Sequence, residues 1–146
     1  MYFKNKVSGF TMALPAVELA ILIDDNDIDL FVQKRFIEIN HFANRIITFN
    51  SPIRAVSAFM DADGPDIPRL IFLDLNMPEM NGFDFLESFK RFPQAVKDKT
   101  KVVVVTSSDS QADRERALSY ESVTHFMPKP LSNKELDNIR EKLLAY

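Results

Sequence analysis

The chain has no cysteine and no tryptophan, and its 146 residues include only three glycines and two histidines. The missing thiols exclude a disulfide framework, a thiolate metal centre and a cysteine nucleophile, while His41 and His125 lie too far apart for zinc-ligand spacing. Any metal must therefore be held by oxygen. No apolar run approaches the ~20 residues that a membrane helix needs, so no membrane partner is expected. Phe10 to Val17, preceded by Lys4 and Lys6, imitates a secretory leader, but Pro15 and Glu18 interrupt it and Leu19 to Ile23 is needed as a core strand. Residues 1–17 are read as a leading tail, residues 18–146 as the domain, and the chain as cytoplasmic. With 18 basic against 21 acidic residues, nucleic acid is not expected as a partner of the surface as a whole.

What is present is a core. Hydrophobic residues make up 46% of the chain, and 13 phenylalanines are among them, which suits one globular domain. Three runs are almost wholly apolar: Leu19 to Ile23, Leu70 to Leu73 and Val102 to Val105. Continuous rather than alternating hydrophobicity marks strands covered on both faces, as in a parallel sheet. Arg45 to Phe49 and Val123 to Met127 are expected as two weaker strands.

Between the strands lie helical patterns. Ile28, Phe31, Val32, Phe36 and Ile39 share one face, with Asn26 or Asp27 as cap. Ser51-Pro52 opens a second helix, with Ile53, Val56, Ala58, Phe59 and Met60 expected inside. Phe83 to Phe92 forms a third, with Phe85, Leu86 and Phe89 inward and Pro93 ending it. Ser110 begins a fourth, and Ser132 to Glu135 is a capping box opening a last one with Leu136, Ile139, Leu143 and Leu144 as its stripe. Phe92 to Lys101 is expected as an extra turn of helix or a docking surface, with Lys97, Lys99 and Lys101 read as a solvated face. Strand then helix, five times over, predicts an α/β fold with a parallel sheet and right-handed crossovers. Such sheets place their chemistry at the carboxyl ends of the strands.

Those ends carry Asp24-Asp25, Asp74, Thr106-Ser107 and, after the last strand, Lys129. Clustered carboxylates repel one another unless a cation neutralises them, and Mg2+ suits a rim of oxygen ligands, with Mn2+ an acceptable substitute. Asp74, the single acid on the most apolar strand, is the candidate nucleophile on phosphorus, with Asp24 and Asp25 holding the ion. Lys129 would meet the phosphoryl group as a point charge, and Thr106 and Ser107 lie beside it.

Together, Asp24-Asp25, Leu73-Asp74-Leu75-Asn76-Met77-Pro78 with Asn81-Gly82, Val105-Thr106-Ser107 and Phe126-Met127-Pro128-Lys129-Pro130 resemble the receiver domain of two-component response regulators, of the stand-alone chemotaxis-receiver type. The resemblance covers about residues 18–145. It implies a flavodoxin-like, doubly wound five-stranded parallel sheet of order 2-1-3-4-5. It implies that Asp74 takes a phosphoryl group from a sensor histidine kinase or histidine phosphotransfer protein. Mg2+ would be held by Asp25, Asp74 and the Asn76 carbonyl, with Asp24 acting through water. It further implies a switch in which Thr106 moves toward the phosphoryl group and Phe126 turns inward, a cis bond before Pro130, and output by contact with a further protein that the sequence does not identify.

Two other readings compete. An aspartyl phosphatase of haloacid-dehalogenase type also uses a strand-end Asp and Mg2+, but its second acid two residues on is here Asn76. A degenerate receiver acting only as a binding module would have lost Asp25, Asp74, Thr106 or Lys129, and all four are present.

Overall fold

The computed structural model describes residues 15–144, so residues 1–14 of the expected tail and the side chain of Leu144 lie outside the described part. Its elements run β1 (Val17–Ile23), α1 (Asp27–Ile39), β2 (Ala43–Phe49), α2 (Pro52–Met60), β3 (Leu70–Leu73), α3 (Gly82–Phe89), α4 (Gln94–Lys99), β4 (Lys101–Thr106), α5 (Gln111–Leu118), β5 (Val123–Pro128) and α6 (Asn133–Leu144). The five strands form one sheet of order β2-β1-β3-β4-β5, every neighbouring pair parallel. This is the flavodoxin-like order the sequence led us to expect.

Side-chain alternation divides the three central apolar runs between two cores. Leu19, Ile21, Ile23, Ile71, Leu73, Val102 and Val104 face one side, against Ala55 and Phe59 of α2 and Phe85, Leu86 and Phe89 of α3. Ala20, Leu22, Leu70, Phe72, Val103 and Val105 face the other, against Leu30 and Ile37 of α1 and Leu136, Ile139 and Leu143 of α6. The first core also explains much of the phenylalanine excess: Phe49, Phe59, Phe85, Phe92 and Phe89 form a chain of tilted and edge-to-face contacts with centroids 5.4 to 6.2 Å apart.

Caps agree with the sequence at several starts. Asn26 accepts from the backbone N–H groups of Ile28 and Asp29, Ser51 from Arg54, and Ser110 from Asp113. The third helix differs: it begins at Gly82, one residue early, because Asn81 and Asp84 form a reciprocal capping box. It also stops at Phe89, and Pro93 stands before α4 rather than closing α3. The expected extra turn of helix is thus a separate element, anchored by buried Val96.

Two expected core faces are corrected. In α1, Ile28, Phe31, Val32 and Ile39 point to solvent, with exposures of 74%, 66%, 49% and 64%, while Leu30, Gln33 and Ile37 are buried and Phe36 is half-buried. In α2, Ile53, Ala58 and Met60 are exposed and the inward residues are Pro52, Ala55 and Phe59. Both helices carry two apolar stripes at helical spacing, and period alone does not say which one meets the sheet.

Candidate functional site: a carboxylate cluster at the strand ends

The parallel ladder carries two acids to one rim. The Asp24 N–H donates to the Phe49 carbonyl at 3.1 Å and the Asp74 N–H to the Ile23 carbonyl at 3.0 Å, so β2, β1 and β3 are tied together just where β1 and β3 end. Asp24 and Asp74 are buried and Asp25 is exposed beside them. One carboxylate oxygen from each of the three lies within 4.8 Å of the others.

Asp24 is the most firmly held. Its Oδ1 accepts from the Asn26 N–H at 2.9 Å, and its Oδ2 from the buried Gln33 amide at 3.2 Å. Lys129 reaches the same cluster from the far edge strand. Its backbone N–H donates to the Thr106 carbonyl at 3.0 Å, which extends the β4–β5 ladder past Pro128, and the Lys129–Pro130 bond is cis, as the resemblance implied. The Lys129 ammonium stands 2.7 Å from Asp24 Oδ2, 2.8 Å from Asp29 Oδ2 and 3.7 Å from Asp74 Oδ1. The last distance is too long for a hydrogen bond. Among the described residues Asp74 Oδ1 has no hydrogen-bond partner, although it is fully buried.

The electrostatics follow from that geometry. Burial, and then the charge of Asp24, pushes the Asp74 carboxyl from an ordinary 3.8 up to about 6, against the opposing pull of Lys129 and the Asn76 N–H. Burial by itself would lower the Lys129 ammonium, but its hydrogen bonds to Asp24 and Asp29 and the charge of Asp74 outweigh that and hold it above the usual lysine range. The cluster therefore carries more negative charge than one amine balances. A hard cation fits: three oxygen donors converge, one buried oxygen has no hydrogen bond, and no softer ligand is present in the cluster.

The other expected site residues are placed as follows. Thr106 is buried at the end of β4, and its Oγ1 accepts from the Ser108 N–H at 3.2 Å. Ser107 is exposed, as is Asn76 on the loop after β3. Phe126 on β5 is half-buried against the first core; the Arg114 guanidinium lies 5.7 Å from its ring centre and donates to its carbonyl at 3.2 Å.

Three residues of the site escaped the sequence reading. Asp29 is an acid in the first turn of α1, where the helix dipole alone would account for it. Gln33 is a polar residue among the apolar ones of α1, and it is buried. Gly82 was quoted only as part of a motif, and its reason is steric: a Cβ there would stand 2.7 Å from both the Asp74 carbonyl oxygen and Leu75 Cα. The close approach lets the Gly82 N–H donate to the Leu75 carbonyl at 2.9 Å, so α3 is fastened directly to the loop that follows Asp74.

Known proteins share the sequence and fold of this chain over most of its length. The two-component response regulator ORR3 of rice is 28% identical over 136 residues, covering 92% of this chain and 97% of that protein. Among solved structures, a two-component response regulator from Cytophaga hutchinsonii is 29% identical, with a TM-score of 0.79 over 89% of this chain and 98% of that one. A response regulator receiver protein from Dyadobacter fermentans is 30% identical, with a TM-score of 0.78 over 87% and 98%. The phosphatase alternative finds no support among them. The family model for the response regulator receiver domain matches residues 20–141, and the chain belongs to that family of two-component signalling proteins.

Proposed function

We propose that this chain is a phospho-accepting switch in which Asp74 takes a phosphoryl group from a phosphohistidine on a sensor histidine kinase or phosphotransfer protein. The observation that carries this reading is the buried Asp74 Oδ1, without a hydrogen bond, with Asp24, Asp25 and Lys129 around it. In the transfer, the N–P bond of the donor breaks as an Asp74 carboxylate oxygen forms the new O–P bond. The imidazole leaves with the bonding electrons and takes up a proton.

Asp25, Asp74 and the Asn76 carbonyl would hold Mg2+, or Mn2+ in its place, with Asp24 acting through water. The ion supplies charge neutralisation for the carboxylates and for the phosphoryl oxygens. Lys129 then meets the phosphoryl group as a fixed positive charge. Thr106 and Ser107 offer hydroxyls on the neighbouring strand end.

Phosphorylation adds about 1.5 to 2 negative charges at one side chain, a local event that needs a bistable element to reach the surface. Thr106 and Phe126 are that element in this reading: Thr106 gives up its bond to the Ser108 N–H, and Phe126 packs inward from its half-buried position. Phe126 has no hydroxyl, so packing alone holds its inward state. The receiver occupies residues 18–146 behind a leading tail, and output passes to another protein in the cytoplasm by direct contact.

The test is labelling of the intact chain with acetyl phosphate. One phosphoryl group per chain is expected, dependent on Mg2+ and abolished by Asp74→Asn. Labelling that persists in Asp74→Asn, or sustained turnover of a phosphomonoester, would refute the proposal.

A further inference from the structure

Lys129 is the only cation within reach of Asp74 among the described residues, yet it stands 3.7 Å from Asp74 Oδ1 while hydrogen-bonded at 2.7 Å to Asp24 and 2.8 Å to Asp29. Those two partners are not equivalent. Asp24 belongs to the carboxylate cluster that a cation would engage, whereas Asp29, on the first turn of α1, does not. Once a cation draws on Asp24 and a phosphoryl group sits on Asp74, Asp29 is the carboxylate still competing for the amine.

We propose that Asp29 is a positioning residue: an off-state latch that parks the Lys129 ammonium away from Asp74 and must release it before the phosphoryl group gains its full positive contact. The inference rests on the phospho-acceptor reading of Asp74 and adds a second charge contact that opposes it. The latch joins α1 to the loop after β5, elements a hundred residues apart. Its ion pair is part-exposed on the aspartate side, so its release costs little and the switch stays reversible.

The experiment uses fluoroberyllate with Mg2+ as the probe, on the full chain. Asp29→Asn and Asp29→Ala are compared with Asp27→Asn, which removes an exposed charge from the same helical turn without touching Lys129. The Asp29 variants are expected to lower the half-saturating fluoroberyllate concentration about five-fold, and Asp27→Asn by less than about two-fold. The second readout is the Lys129 ammonium signal in 15N NMR. It should change in the Asp29 variants before fluoroberyllate is added and coincide with the wild type at saturation.

Equal effects from Asp27→Asn would reduce the role of Asp29 to general charge and overturn the latch. So would unchanged or weakened fluoroberyllate binding in both Asp29 variants, or a Lys129 signal that ignores them. If the wild-type chain itself bound no fluoroberyllate, the phospho-acceptor reading would fall first, and the latch with it.

Discussion

Replacing Asp74 by asparagine should stabilise the metal-free protein. Burial and the neighbouring Asp24 raise the Asp74 carboxyl from 3.8 to about 6, so its charged form is held at a cost in the folded chain that it does not bear when unfolded. At 1.36 kcal/mol per pKa unit that displacement amounts to about 3 kcal/mol, an upper figure because the site relaxes around a charge. Below pH 3.8 the carboxyl is protonated in both states and contributes nothing. Between 3.8 and about 6 the unfolded chain gives up the proton while the folded chain keeps it, so stability falls as pH rises; above 6 the full cost is present. Asparagine keeps the shape and removes the titration. Urea unfolding in chelator should therefore find Asp74→Asn more stable than wild type by about 1 to 3 kcal/mol at pH 8, with the gap closing as pH falls toward 4. A gap that is absent at pH 8, reversed, or constant from pH 4 to 8 would refute the account of this cluster as an excess of buried negative charge.

Mg2+ should relieve the same strain: at about 100 times its dissociation constant it should stabilise the wild type by about 2.7 kcal/mol in thermal melts, and Asp25→Asn should remove most of that gain. Gly82→Ala should destabilise by about 2 kcal/mol or more in urea, because the new methyl meets backbone atoms of Asp74 and Leu75 that cannot swing aside. Ile37→Ala should cost about 2 to 4 kcal/mol, while Phe31→Ser on the outer face of α1 should stay within about 0.5 kcal/mol. Equal costs for these two would restore the inward face read from the sequence.

The parts of the site that were legible are those where a polar residue interrupts a buried run. Asp24 follows five apolar residues and Asp74 follows four, and an acid there reads as a strand end meeting chemistry. Their meeting point came from topology: in a parallel sheet the carboxyl ends of adjacent strands share a rim, so residues fifty apart become neighbours without any local signal. Phe92 was legible as apolar but not as part of the aromatic chain, because it packs from a turn beyond α3 rather than from the helix.

The face of α1 was misread because the site placed a polar residue in the wrong-looking stripe. The inward stripe is Leu30, Gln33 and Ile37; the outward one contains Ile28, Phe31, Val32 and Ile39 and is the more hydrophobic of the two. Gln33 is inside because Asp24 Oδ2 needs donors once it is buried, and the glutamine amide supplies one at 3.2 Å beside the Lys129 ammonium. A carboxylate that must be buried and solvated by protein thus dilutes the apolar signal of the helix that covers it. Hydrophobic periodicity loses its direction at the element nearest the chemistry, and that inversion itself points to the site: a buried glutamine opposite a strand-end aspartate implies a carboxylate to be satisfied.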